Sequence, residues 1–146
     1  MSTEALKLKH QLCFPLYALS RAVINYYRPM LDELDITYPQ YLVLLLLWEH
    51  EALTVKALGE QLMLDSGTLT PLLKRLEQKE LVTRERCKAD ERSVMIALTP
   101  QGRALELAAG AIPEQIKCSM SIDDQELADL KTRIDNLLTR IQHNQI

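Results

Sequence analysis

The stretch from 54 to 99 switches its hydrophobic period from helical to alternating, and few folds accommodate that order. Thr54 is placed to cap a short helix over 55–62, and Met63 and Leu64 make a turn. Asp65 or Ser66 then caps a second helix running to about Lys79. Gly67 and Pro71 fall in its first turns, where they cost little. The spacing next switches to alternation. Val82, Arg84, Arg86 and Val94, Ile96, Leu98 step by two, as strand residues do, so strands are expected over 81–87 and 93–98. Between them lies a polar tip, Lys88-Ala89-Asp90-Glu91-Arg92. The order is short helix, turn, helix, and a hairpin with a charged end.

Long helical segments flank this core. Over 12–34, Leu12, Leu16, Leu19, Val23, Tyr27 and Leu31 fall about one turn apart. Pro15 sets a start, or a break between two helical pieces, near Leu12, and Pro29 ends or bends the segment. A helix over 38–51 contains the apolar run 41–48, which has no polar face and reads as the central buried helix. Thr99-Pro100 opens a fifth helix that Pro113 bends. After a cap region at 121–124, a last helix over 126–143 aligns Leu127, Leu130, Ile134, Leu137 and Ile141. The 146 residues, 47% hydrophobic and 25% charged, suit one globular domain, and 4 Gly are few for a sandwich or barrel. The expected class is mainly α (α+β), a winged helix-turn-helix.

Several functions are excluded on the same grounds. Residues 1–10 lack an apolar signal core, and the 41–48 run is too short to span a bilayer, so a cytoplasmic chain without membrane contact is expected. Cys13, Cys87 and Cys118 form no C-x-x-C pair, and His10, His50 and His143 are scattered; neither a metal site nor a cofactor is expected. No nucleophile elbow or phosphate loop is present, so no enzyme is expected.

Charge distribution points to nucleic acid. Net charge is −3, yet residues 74–92 hold seven Lys or Arg against five Asp or Glu, a local +2 that leaves −5 elsewhere. A second helix of this kind fits the major groove of double-stranded DNA, with Ser66, Thr68 and Thr70 offering hydroxyls to base edges and phosphates. Lys74 and Arg75 are placed for phosphates or guanines. At the tip, Arg92 can enter the adjacent minor groove, with Asp90 orienting its guanidinium. Arg84 and Arg86 on the first strand complete the candidate DNA-binding set. Each residue alone reads equally well as a cap or a solvated charge; the order of elements carries the argument. Lys79 and Glu80, near the helix end, read as solvated.

Leu58-Gly59-Glu60-Gln61-Leu62, Thr68-x-Thr70-x-Leu72-x-Lys74-Arg75-Leu76-Glu77, Leu81-Val82-x-Arg84, Asp90-x-Arg92 and Leu98-Thr99-x-x-Gly102 together resemble the MarR family of bacterial repressors. The resemblance covers nearly the whole chain. It implies a homodimer on a pseudo-palindromic operator, with 1–37 and 100–146 as dimerisation helices and 38–99 as the winged-helix lobe. The apolar faces of the first and last helices, hard for a monomer to cover, agree with this.

Leu12-Cys13-Phe14-Pro15-Leu16-Tyr17 further resembles the organic hydroperoxide sensors of that family. The resemblance implies that Cys13 is the peroxide-reactive thiol, that Tyr27 and Tyr38 hydrogen-bond its thiolate, and that Cys118 is the resolving thiol of the two-cysteine branch. Cys13 and Tyr27 are roughly 21 Å apart if they share one helix, so their contact needs a partner subunit. With Pro15 in the first helical turn, Cys13 would sit at the positive end of the helix dipole. His10 reads as plain surface, Cys87 as too close to the DNA side to resolve, and Tyr17, Tyr26 and Trp48 as packing. The expected function is a repressor that leaves its operator when organic hydroperoxide oxidises Cys13. The alternatives are release by a small aromatic or anionic ligand, a mixed disulfide on Cys13 alone, and a thiol peroxidase.

Overall fold

The computed structural model describes residues 3–90 and 92–144, so Glu91 of the hairpin tip lies outside the described residues. The chain divides into two compact units, one running to Gly110 and one starting at Ala111.

In the first unit, 3-10 turns at Thr3–Leu6 and Leu8–His10 lead into α1 (Cys13–Glu33). The helix starts where Pro15 requires, with the ring in a first turn whose amides have no helical partner. Pro29 does not end the segment: α1 runs on to Glu33 and forgoes the bond to the Asn25 carbonyl. α2 (Tyr38–His50) opens on a capping box, the Thr37 hydroxyl accepting from the Gln40 N–H at 3.4 Å and the Gln40 side chain accepting from the Thr37 N–H at 2.9 Å. Val43, Leu44 and Leu47 are fully buried, as the apolar run predicts for a central helix.

A short strand follows that the sequence analysis missed, β1 (Ala52–Thr54). It pairs antiparallel with β3, so the hairpin β2 (Val82–Arg86) and β3 (Val94–Leu98) becomes a three-stranded sheet of order β1-β3-β2. The hairpin register runs from Val82↔Leu98 to Arg86↔Val94. Between β1 and β2 lie α3 (Val55–Leu62) and α4 (Ser66–Gln78). The Thr54 hydroxyl caps α3 through the Ala57 N–H at 3.0 Å, and Met63 makes the turn at φ 57°. Asp65, not Ser66, caps α4. Leu58, Leu69, Leu73, Leu76 and Ile96 close the core under the two helices and the sheet.

α5 (Pro100–Ala109) is capped by the Thr99 hydroxyl, which accepts from the Gly102 N–H at 3.0 Å. Gly102 is required there: a Cβ would lie 2.1 Å from the Leu81 carbonyl oxygen. Lys79 is not simply solvated. Its ammonium donates to the Asp35 carbonyl and lies 3.7 Å from the Asp35 carboxylate.

The second unit holds α6 (Ile112–Ser119) and α7 (Asp124–Asn144). Pro113 does not bend a continuous helix. It lacks an N–H and would clash with the Ala109 carbonyl, so α5 stops there and Pro113 takes the first turn of α6. The Asp123 carboxylate accepts from the Glu126 N–H at 2.8 Å, which starts α7 two residues earlier than its periodicity suggests. No residue of α7 is buried: Leu127, Leu130, Ile134, Leu138 and Ile141 are 38–47% exposed. Among the described residues no helix is long and apolar enough to cross a membrane.

Candidate functional site

α4 presents two faces. Leu69, Leu72, Leu73 and Leu76 point into the core. At 100° per residue, Gly67, Pro71, Lys74 and Gln78 fall on the opposite side, with Arg75 beside them. All five are exposed. This is a helix held by one face and open along the other, with small residues near its N-terminus and cations beyond. Asp65 accepts from the Thr68 N–H at 2.7 Å. The Thr68 hydroxyl, and then its N–H, hold the Asp65 carboxyl below the usual carboxylate range. One of the three candidate hydroxyls is thus turned to the cap, while Ser66 remains exposed and Thr70 half-buried.

The hairpin folds toward the start of α4. Ser66, Thr70, Arg84, Asp90 and Arg92 line one open cleft of about 700 Å³, together with Lys56 and Glu60 from α3. The sequence analysis did not single out Lys56. Its signal is its position in the first turn after the Thr54 cap, where it adds an exposed cation to the cleft mouth. Arg84 is only 23% exposed, and its Nη1 lies 3.9 Å from the Glu77 carboxylate, so it ties β2 to α4 as well as lining the cleft. Its buried Nε has no partner among the described residues. Asp90 acts differently from expectation. Its carboxylate accepts the Arg92 backbone N–H at 3.0 Å, so it shapes the turn and does not clamp the guanidinium. Arg92 is exposed at the tip, and Arg86 ends β2 on the exposed side.

The three thiols sit on three different elements. Cys13 is the first residue of α1 and is exposed; Leu12 before it offers no side-chain cap. The unsatisfied amides of the first turn and the positive helix end therefore face the thiol's surroundings. His10 sits 3.9 Å from the Glu4 carboxylate. Cys118 is exposed near the end of α6, in the second unit. Its neighbour Lys117 is held between Asp124 at 2.7 Å and Glu114 at 3.3 Å, and these bonds raise the ammonium pKa. Cys87 is half-buried at the hairpin tip, its N–H donating to the Ser93 carbonyl at 2.8 Å.

Tyr27 on α1 and Tyr38 on α2 come together within one chain, ring centroids 4.9 Å apart. Tyr41, which the sequence analysis left in the core run, completes the group at 5.7 Å from Tyr27 and 6.1 Å from Tyr38. Burial, then Tyr38 and Tyr41, push the Tyr27 phenol up to about 12, and burial raises Tyr38. Both are therefore neutral O–H donors at physiological pH. Cys13 and Tyr27 share α1, so about 21 Å of helix separates them in one chain.

Comparison with known proteins matches these features to regulators. The family model "Transcriptional regulator SarA/Rot" matches residues 25–106. An organic hydroperoxide resistance transcriptional regulator of Bacillus subtilis (strain 168) is 56% identical over 135 residues, covering 92% of each chain. Reduced AbfR bound to DNA, a Staphylococcus epidermidis protein, superposes with a TM-score of 0.82 at 39% identity over 98% of both chains. Its disulfide form gives 0.64 at 40% identity, over 93% of this chain and 96% of that one. A single-site mutant of Escherichia coli MarR complexed with operator DNA gives 0.77 at 26% identity, over 87% of this chain and 93% of that one.

Proposed function

This chain belongs to the MarR-like family of SarA/Rot-type and organic hydroperoxide transcriptional regulators, DNA-binding proteins and not enzymes, and from that premise we propose that it is a cytoplasmic, dimeric repressor switched by oxidation of Cys13. The observation that carries this reading is the separation of thiol and phenols. Tyr27 and Tyr38 form a neutral donor pair 4.9 Å apart, yet the exposed Cys13 lies a helix length away. A second copy running past the first supplies what one chain lacks. Leu12 just before α1, Phe14, Leu16, Tyr17 and Leu19 on it, and the stripe on α7, are exposed in the single chain and fit such a contact.

The chemistry is a two-electron exchange. The Cys13 thiolate attacks the distal oxygen of a hydroperoxide, the O–O bond breaks, and an alcohol leaves once protonated. The product is a sulfenic acid. The Cys118 thiol attacks its sulfur, releasing water and forming a disulfide, which reduction by a dithiol restores. Such a bond needs Cα atoms within roughly 7 Å, so if the two residues start further apart, forming it redirects the helices that carry them. On DNA, α4 lies in the major groove with Ser66, Thr70, Lys74 and Arg75 toward bases and phosphates, while Thr68 holds the Asp65 cap at the helix start. The tip with Asp90 and Arg92 meets the adjacent minor groove, flanked by Arg84 and Arg86. The two α4 helices of a dimer must sit about 34 Å apart to enter successive grooves, and oxidation disturbs that spacing.

A gel shift on the protein's own upstream DNA tests the reading. Cumene hydroperoxide should release wild type, dithiothreitol should restore binding, and Cys13→Ser should bind without release. If Cys13→Ser still dissociates, release by a small aromatic or anionic ligand becomes the better account.

A further inference from the structure

We infer that Tyr41 and Trp48 are positioning residues that couple the Tyr27–Tyr38 pair to the root of the wing at Gly102. The inference rests on the sensing role proposed above for that pair, and every residue in it belongs to the unit ending at Gly110. Tyr41 is only 4% exposed, and its ring touches both phenols of the pair. Two turns further along the same face of α2, Trp48 meets the Tyr41 ring edge-on, centroids 6.3 Å apart at 68°. The Trp48 Nε1–H donates to the Gly102 carbonyl at 3.0 Å. In return, the Trp48 carbonyl accepts from Arg103 Nη1 at 3.2 Å, and the Arg103 guanidinium also reaches Glu51 and Glu106. The end of α2 and the start of α5 thus hold each other through reciprocal bonds.

Gly102 passes the tie on without slack. A Cβ there would meet the Leu81 carbonyl at 2.1 Å and the Leu98 side chain at 3.1 Å. Leu81 stands directly before β2, and Leu98 ends β3, so both wing strands are rooted against this glycine. The Thr99 N–H donates to the same Leu81 carbonyl at 3.1 Å. Apart from the Arg103 side chain, every link is an aromatic contact or a hydrogen bond that ends on the backbone. Packed interiors of this kind rearrange between discrete states and do not absorb a shift gradually. A displacement of Tyr27 or Tyr38 when the thiol environment changes therefore moves Tyr41, tilts the Trp48 indole, and strains its bond to Gly102.

The chain has 1 Trp, so its fluorescence reports this link alone. The first arm needs no oxidant. Tyr27→Ala should shift Trp48 emission and lower operator affinity by roughly five-fold or more, the scale of an ordinary coupling energy. In a Tyr41→Leu background both responses should fall by at least half, while Tyr41→Phe, which keeps the ring, should retain them. Should Tyr41→Leu not fold by circular dichroism, Trp48→Phe carries the test: it keeps an aromatic ring, removes the N–H donor, and should abolish the affinity response. Responses to Tyr27→Ala that are unchanged in Tyr41→Leu, or in Trp48→Phe, overturn the coupling. The second arm adds cumene hydroperoxide and follows Cys13 oxidation by mass. A wild type that oxidises at Cys13 yet keeps its DNA defeats the sensing reading, and the first arm still decides the coupling.

Discussion

Lys74→Ala gives the most quantitative test of the α4 surface. Lys74 lies on the open face of the helix, exposed and without an ion pair among the described residues. A lysine that neutralises a phosphate releases counterion, and each such contact adds about 0.9 to the slope of log affinity against log salt. A two-fold dimer carries the residue twice, so the slope should fall by about 1.8. Between 50 and 200 mM salt the variant should then lose roughly 12-fold less affinity than wild type. Fluorescence anisotropy at four salt concentrations, on operator and on a scrambled duplex, reads this directly. The loss should be similar on both duplexes, because a phosphate contact carries no base information. Lys79→Ala is the control, since that ammonium is engaged by Asp35 and should not alter the slope. A Lys74→Ala slope within about 0.3 of wild type, or a loss confined to the operator, refutes the phosphate assignment.

Gly102→Ala should destabilise the fold by about 2–4 kcal/mol, from overpacking against the Leu81 carbonyl and a weakened Trp48 bond, read as a lower urea midpoint. A midpoint like wild type would mean that α5 can shift freely. Tyr27 should give an alkaline stability loss: its phenol is raised from 10.0 to about 12, so its contribution is complete below pH 10 and disappears as pH climbs toward 12. Urea melts at pH 9 and 11 should show a smaller drop for Tyr27→Phe than for wild type; equal drops would contradict this. Organic peroxide should give a dimer-sized band on non-reducing electrophoresis, absent from Cys118→Ser and unchanged in Cys87→Ser. A band that survives Cys118→Ser but vanishes in Cys87→Ser would reassign the resolving thiol.

Local rules read well along this chain wherever one residue type decides the geometry. Thr54, Asp65 and Thr99 cap helices as their side chains allow, and the alternation at 82–86 and 94–98 fixes the hairpin. What escapes has no local signature. β1 is three residues long, and only its pairing with β3 makes it a strand. Charge suggests a guanidinium partner for Asp90, whereas a short carboxylate two residues before an amide finds that amide first. Lys79 reads as surface until Asp35, distant in sequence, meets it. Tyr41 reads as core because it lies in an apolar run, and its place beside Tyr27 and Tyr38 depends on how α1 packs on α2. The candidate DNA face is legible because it lies on one continuous segment; the aromatic group is not, because residues on two separate helices build it.

The geometry of α1 sets where two copies would have to cross. For Cys13 of one chain to meet Tyr27 of another on an antiparallel helix, a two-fold axis must pass midway between them, at Ser20. Cys13, Ser20 and Tyr27 are spaced by seven, so they share one face of the helix. Ser20 is small and exposed, and Leu16 and Tyr17 beside it are exposed as well. Small residues at a crossing let helix axes approach to about 8–10 Å, and facing Cα atoms then lie about 4–5 Å apart, within disulfide reach. In a background of Cys13→Ser, Cys87→Ser and Cys118→Ser, adding Ser20→Cys should therefore give a spontaneous dimer that dithiothreitol reverses. Leu19→Cys, pointing about 100° away, should not. If Leu19→Cys cross-links and Ser20→Cys does not, the axis lies elsewhere on α1. The second copy would then meet Cys13 with some other part of its surface than Tyr27.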